Sequence, residues 1–135
     1  MANGEIFSLE STVESVPLLM YGISLGADLC IVLSGGDKPH IGAVTLSQAH
    51  PSLKGDGTVS STSSVIAIPK HKEGELLQKI SDEAARRINC NVVVCGGIHV
   101  ADATSQLIEL ICAEAQNMLQ RLLTLYSQKR GEKIS

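Results

Sequence analysis

Glu73-Gly-Glu-Leu-Leu-Gln-Lys-Ile-Ser-Asp-Glu-Ala-Ala-Arg-Arg-Ile88, followed after Asn89 and Cys90 by Asn91-Val92-Val93-Val94-Cys95, is where the period of the chain changes. In the first stretch Leu76, Leu77, Ile80, Ala84 and Ile88 recur every three to four residues, one face of an amphipathic helix. Arg86 and Arg87 suit its negative end and Asn89 its C-terminal cap. The valines that follow are short, continuous and β-branched, the pattern of a strand central in a sheet or covered on both faces. Gly96 and Gly97 are expected to end that strand. Thr104 then reads as the N-cap of a longer helix with Leu107, Ile108, Ile111, Ala115, Met118, Leu119, Leu122 and Tyr126 on one stripe.

Upstream the period is two. Glu5 to Glu10 alternates polar and apolar residues, and Leu18–Leu25 and Leu29–Ser34 flank the turn Gly26-Ala27-Asp28. A second turn, Gly35 to Pro39, leads into His40–Leu46. A polar loop from Gln48 to Thr58 precedes a fifth strand, Ser64–Ile68. The order βββββαβα predicts an α+β two-layer sandwich, a mostly antiparallel sheet of about six strands with both helices on one face. Short early connections favour an antiparallel meander over a doubly wound parallel fold. One domain over residues 1–127 and a flexible tail over 128–135 are expected. The apolar segments Leu18–Ile23 and Cys30–Leu33 ask for cover on the second sheet face as well, hence a homodimer.

Composition narrows the function classes. With 135 residues and 44% apolar content the chain can hold a core without metals or disulfides. A net charge of −3 gives no electrostatic support for nucleic-acid binding. Only Phe7, Tyr21 and Tyr126 are aromatic, too few for a stacking platform. The start lacks a signal-peptide pattern, and Val16–Leu33 is too interrupted by Ser24, Gly26 and Asp28 to span a bilayer. Cys30, Cys90, Cys95 and Cys112 lack CxxC spacing and read as reduced thiols. A cytoplasmic protein that contacts neither membrane nor nucleic acid is expected.

Three segments collect chemistry at expected strand ends. In Ser34–Gly42, Gly35 and Gly36 let backbone approach a ligand, Lys38 offers a cation, and Asp37 and His40 exchange protons; the bland alternative is a solvated hairpin turn. In the second, Ser60–Ser64 supplies hydroxyls, and Lys70, His71 and Lys72 place positive charge near a helix start, where it opposes the helix dipole unless an anion binds. The alternative is a solvated loop and a helix entry. The third, Gly96–Thr104, joins a strand to a helix N-terminus with Gly97, His99 and Asp102; a plain helix-entry turn also fits it. His40, His71 and His99 could together hold a metal with an open position, although HxH and HxxxH spacings are absent. Cys95 with His99 could form a nucleophile pair, and a serine nucleophile lacks its GxSxG elbow.

The ordered set Gly35-Gly36-Asp37-Lys38-Pro39-His40-Ile41-Gly42-Ala43-Val44, Ser63-Ser64-Val65, His71-Lys72-Glu73, Gly97-Ile98-His99-Val100 and Ala103-Thr104 resembles the LpdD-type prenylated flavin chaperones associated with UbiD-type decarboxylases. Glu73 stands where Asp is common in the pattern. The resemblance implies a non-catalytic carrier that binds prenylated FMN or FMN, shields it, and supplies it to the decarboxylase, with flavin prenyltransferase as a further partner. It implies that Gly35, Gly36, Asp37, Lys38, His40, Ser63, Ser64, Lys70, His71, Lys72, Gly97 and His99 bind the cofactor. Lys38, Lys70 and Lys72 would hold the phosphate, and His40, His71 and His99 would bond phosphate, ribityl or ring atoms. Two other readings compete: a ligand-free assembly subunit, and a small metal-dependent enzyme built on the three histidines.

Overall fold

The computed structural model describes residues 5–69 and 73–131. Strands β1 (Ile6–Val13), β2 (Val16–Leu25), β3 (Asp28–Gly36), β4 (Ala43–Pro51) and β5 (Val59–Ala67) are followed by helix α1 (Gly74–Ile88), strand β6 (Val92–His99) and helix α2 (Ser105–Arg130). The βββββαβα order and the α+β architecture are those expected. The six strands form one sheet in the order β1-β2-β3-β6-β4-β5.

That order corrects the meander. β1, β2 and β3 do form one, and β4 and β5 form a hairpin, but β6 lies between β3 and β4, parallel to the first and antiparallel to the second. The segment Gly35–Pro39 therefore carries the chain across a gap instead of reversing it into a hairpin. The physical cause is the valine run, whose side chains are apolar on both faces and which takes neighbours on both edges.

Gly96 and Gly97 do not end β6, which continues to His99. Gly96 has φ 132°, and a Cβ there would collide with the Leu33 carbonyl oxygen. The glycine lets β6 press against β3 at this point.

Both helices pack on one sheet face, α2 against β1 and β2, α1 against β4, β5 and β6. Met20, Ile31, Leu33 and Val94 project into this core and are fully buried with Leu77, Ile80, Met118 and Leu122. Thr104 caps α2 by accepting from Leu107 N at 3.1 Å, and Asn89 closes α1 in a left-handed conformation. Fraying was expected from Gln128, but α2 runs to Arg130, whose guanidinium donates to the Gly26 carbonyl at 2.8 Å.

The opposite face is also apolar. One row across the strands reads Tyr21, Val32, Cys95, Val44, Ile66, and the next Ile23, Cys30, Val93, Leu46, Ser64. Both helices lie on the other side. Among the described residues no helix is long and apolar enough to cross a membrane.

Candidate functional site

β3 and β6, the parallel pair, end together with Gly36 opposite His99. Loop residues 37–42 and 100–104 leave from these ends, and β4, α1 and α2 all begin at the same end of the sheet. In open parallel sheets the carboxyl ends of the strands, with helix N-termini beside them, are where ligands bind, and this one parallel pair reproduces that local arrangement.

The loops are stitched to the sheet. Asp37 N donates to the His99 carbonyl at 2.7 Å, and its carboxylate accepts from Ala101 N at 3.0 Å. Gly42 N donates to the Gly96 carbonyl at 2.8 Å, and Ile68 N to the Gly42 carbonyl at 2.8 Å. Gly36 sits at φ +83° with its α-carbon hydrogens facing the His99 carbonyl, where a Cβ would collide. No other residue type fits that contact without strain.

His40 is held at both ring nitrogens. Nδ1 donates to the Lys38 carbonyl at 2.9 Å, and Nε2 lies 2.7 Å from Glu73 Oε1. A carbonyl oxygen can only accept, so Nδ1 is the donor to Lys38, and Nε2 faces the Glu73 carboxyl group. The two side chains are 20% and 14% exposed, sheltered enough to count for more than a surface ion pair. Space for them comes from two glycines: a Cβ on Gly97 would stand 2.8 Å from His40 Nε2, and one on Gly42 would collide with the Glu73 carboxylate. The His99 ring meets His40 edge-on, centroids 6.3 Å apart.

Next to this cluster lies a hollow of about 320 Å³. Its walls include Pro17, Leu19, Ser34, Gly35 and Gly36, with Glu10 and Thr12 from β1 and Pro39 from the loop. Gly36 belongs to both hollow and cluster.

The structure thus brings together Gly35, Gly36, Asp37, Lys38, His40, Gly97 and His99. It does not bring Ser63 and Ser64 to them. The expected serine loop lies in strand β5, because its hydroxyls alternate between a polar layer under α1 and the open face. Ser63 Oγ bonds Ser47 Oγ at 2.6 Å, Ser47 bonds Ser81 at 2.7 Å, and Thr45 donates to Ser81 at 3.0 Å, a buried hydroxyl chain. Ser64 lies opposite Leu46, part-way along β5. Lys70, His71 and Lys72 lie outside the described residues, but both flanks touch the site, Ile68 through Gly42 and Glu73 through His40.

Cys95 and His99 are four residues apart on an extended strand, about 13 Å, so they form no nucleophile pair. Asp102 takes a left-handed turn conformation before α2. Burial, reinforced by Cys95, pushes the Cys30 thiol up from its ordinary range. Among the described residues no group of three or more His, Cys, Asp and Glu could hold a metal ion. Sequence reasoning missed Glu73 as a site residue. Its signal was an acid at a helix entry already carrying His71 and Lys72, noted there only for standing where Asp is common in the resembling pattern.

A prenylated flavin chaperone LpdD-like domain matches residues 13–127. The chain belongs to this family. The LpdD-like match covers every element from β2 to most of α2. No curated protein matches the sequence. A chain in the crystal structure of a chaperone complex for yeast 20S proteasome assembly shares the fold, with a TM-score of 0.50 and 12% identity over 91% of this chain and 96% of that one.

Proposed function

We propose that the protein is a non-catalytic, cytoplasmic, homodimeric carrier that binds prenylated FMN or FMN and supplies it to a UbiD-type decarboxylase, with flavin prenyltransferase upstream. The observation that carries this reading is the meeting of the 37–42 loop, the Gly97–His99 strand end and the His40–Glu73 pair beside the hollow.

The residues present fit a flavin in part. A volume of about 320 Å³ is at the lower end of small-molecule sites, room for a ring system but not for a whole prenylated nucleotide. Pro17, Leu19 and Pro39 supply aliphatic walls for the ring. Lys38 and His99, both exposed, reach outward for the phosphate or ribityl chain. Lys70, His71 and Lys72 would add to the phosphate site, while Ser63 has its hydroxyl turned to Ser47. The cofactor's chemistry belongs to the decarboxylase; this chain's residues hold it and keep water and oxygen away. Aliphatic walls without stacked aromatics suit release as well as binding.

Titration of the purified protein with FMN and with prenylated FMN, followed by flavin fluorescence or calorimetry, tests the reading. Silence with both removes it. Lys38→Ala or His71→Ala should weaken binding about tenfold or more, from a lost charge-assisted contact of about 1.5–3 kcal/mol. Lys129→Ala, on the far helix end, should leave binding unchanged.

The apolar open face of the sheet favours a second reading, an assembly subunit that docks without a small ligand. Co-purification with the decarboxylase that survives removal of flavin would select it.

A further inference from the structure

We propose that His40 and Glu73 are a positioning pair: neither touches the ligand, and together they fix the 37–42 loop so that Lys38 is presented beside the hollow. The inference rests on the carrier reading for what Lys38 meets, and not for the tether itself.

An imidazole has two polar atoms, and both of those on His40 are engaged inside the protein. Nδ1 donates to the Lys38 carbonyl at 2.9 Å, and Nε2 lies 2.7 Å from Glu73 Oε1. With its side chain 20% exposed, the ring has little surface left to meet a ligand. His99, its edge-on neighbour, is the exposed one of the two. A histidine expected from the sequence to bond a cofactor is placed instead to hold the fold.

The loop needs such a tie. Asp37 fixes its first end through the His99 carbonyl and Ala101 N, and Gly42 fixes its last through the Gly96 carbonyl and Ile68 N. Between these ends Lys38, Pro39 and Ile41 are exposed, and among the described residues the His40 ring is what ties the span inward. Its bond to the Lys38 carbonyl closes a tight turn, so the ring sets the backbone from which the lysine side chain leaves. A loop ordered before the ligand arrives spares binding the entropic cost of ordering it.

Glu73 shows that the contact serves the loop and not the helix. It is the N-cap residue of α1, yet its side chain makes no capping bond. Ser, Thr, Asp and Asn suit that position because a short arm reaches the N–H groups of the first turn. Glu73 sends its longer arm to His40, and its side chain is only 14% exposed. Two missing side chains make the room. A Cβ on Gly97 would stand 2.8 Å from His40 Nε2, and one on Gly42 would collide with the Glu73 carboxylate. Gly97 therefore serves the pair.

Flavin binding and amide exchange together test it. His40→Ala and Glu73→Ala should each weaken FMN binding about fivefold, and the double variant no further, since either change releases the same tie. On a Lys38→Ala background, His40→Ala should cost less than about twofold, because the lysine it positions is gone. Glu73→Gln keeps a hydrogen-bonding group at the same reach and should restore most of the affinity. Without ligand, the Gly42 and Ile68 amides should exchange about fivefold faster in both alanine variants and slow again in Glu73→Gln. Saturating the wild type with FMN should leave the NMR signals of the His40 ring nitrogens where they were. Ring signals that move with FMN, or His40 and Lys38 losses that simply add, overturn the pair and leave the carrier standing. Alanine variants that bind and exchange like wild type overturn it as well. If an alanine variant does not fold, the wild-type ring signals decide. A wild type silent toward FMN and prenylated FMN, with faster exchange in the alanine variants, removes the carrier and leaves the tether.

Discussion

The two faces of the sheet are built by the same strands from almost equally apolar residues, yet only one of them is closed by the chain itself. Under the helices, Met20, Ile31, Leu33 and Val94 are wholly buried. One residue along each strand, Tyr21, Val32, Cys95 and Val44 are half covered or exposed. Alternation decides which residues share a face, but it does not decide what covers that face. The first face carries the fold; the second is left open by this chain.

The largest expected difference between them comes from truncation. Leu33→Ala should destabilise the fold by about 2–5 kcal/mol, read as a lower denaturation midpoint. Val32→Ala, its neighbour on the other face, should cost under about 1 kcal/mol in dilute protein. Equal losses would break the comparison. Gly36→Ala comes next, at about 1–3 kcal/mol, from a strained backbone and a collision with the His99 carbonyl. It should also loosen the join between the β3 and β6 ends, visible as faster amide exchange at Asp37.

The helix-covered face is not uniformly dry, and its polar layer sharpens the contrast. Ser81→Ala should cost about 1–2 kcal/mol, because Thr45 and Ser47 lose a partner where water does not reach. Pairing it with Thr45→Val should recover part of the loss in a double-mutant cycle. The smallest effect concerns pH. Burial pushes the Cys30 and Cys112 thiols up from their ordinary range in the folded chain. As pH rises through that ordinary range the unfolded chain sheds protons that the folded one keeps, so stability should fall. Cys30→Ala with Cys112→Ala should flatten that slope in urea titrations at pH 8 to 10.

Element types were readable from two signals: the three-to-four spacing of Leu77, Ile80 and Ala84, and, upstream, the alternation of Glu5 to Glu10 with short apolar runs parted by the turn Gly26-Ala27-Asp28. Strand order was less so, since nothing local to Gly35–Pro39 distinguishes a hairpin turn from a step across a gap. The partner that fills the gap, β6, lies more than fifty residues further on. A separation of 33 residues likewise hid the His40–Glu73 contact, which joins a loop to a helix entry beside two glycines. The serines of β5 misled because a serine-rich stretch looks like a loop until Ser47 and Ser81 are seen to meet its hydroxyls.

The late arrival of β6 at the middle of the sheet also shapes how the molecule is born. During synthesis the first five strands emerge as two separate hairpin groups, each with a bare inner edge waiting for residues 92–99. Neither group is complete until the ribosome has passed Gly97, so any fragment ending earlier presents two unpaired strand edges to its neighbours. Assembly of this domain is accordingly a single late closure, and a stalled or clipped product is the form most prone to aggregate.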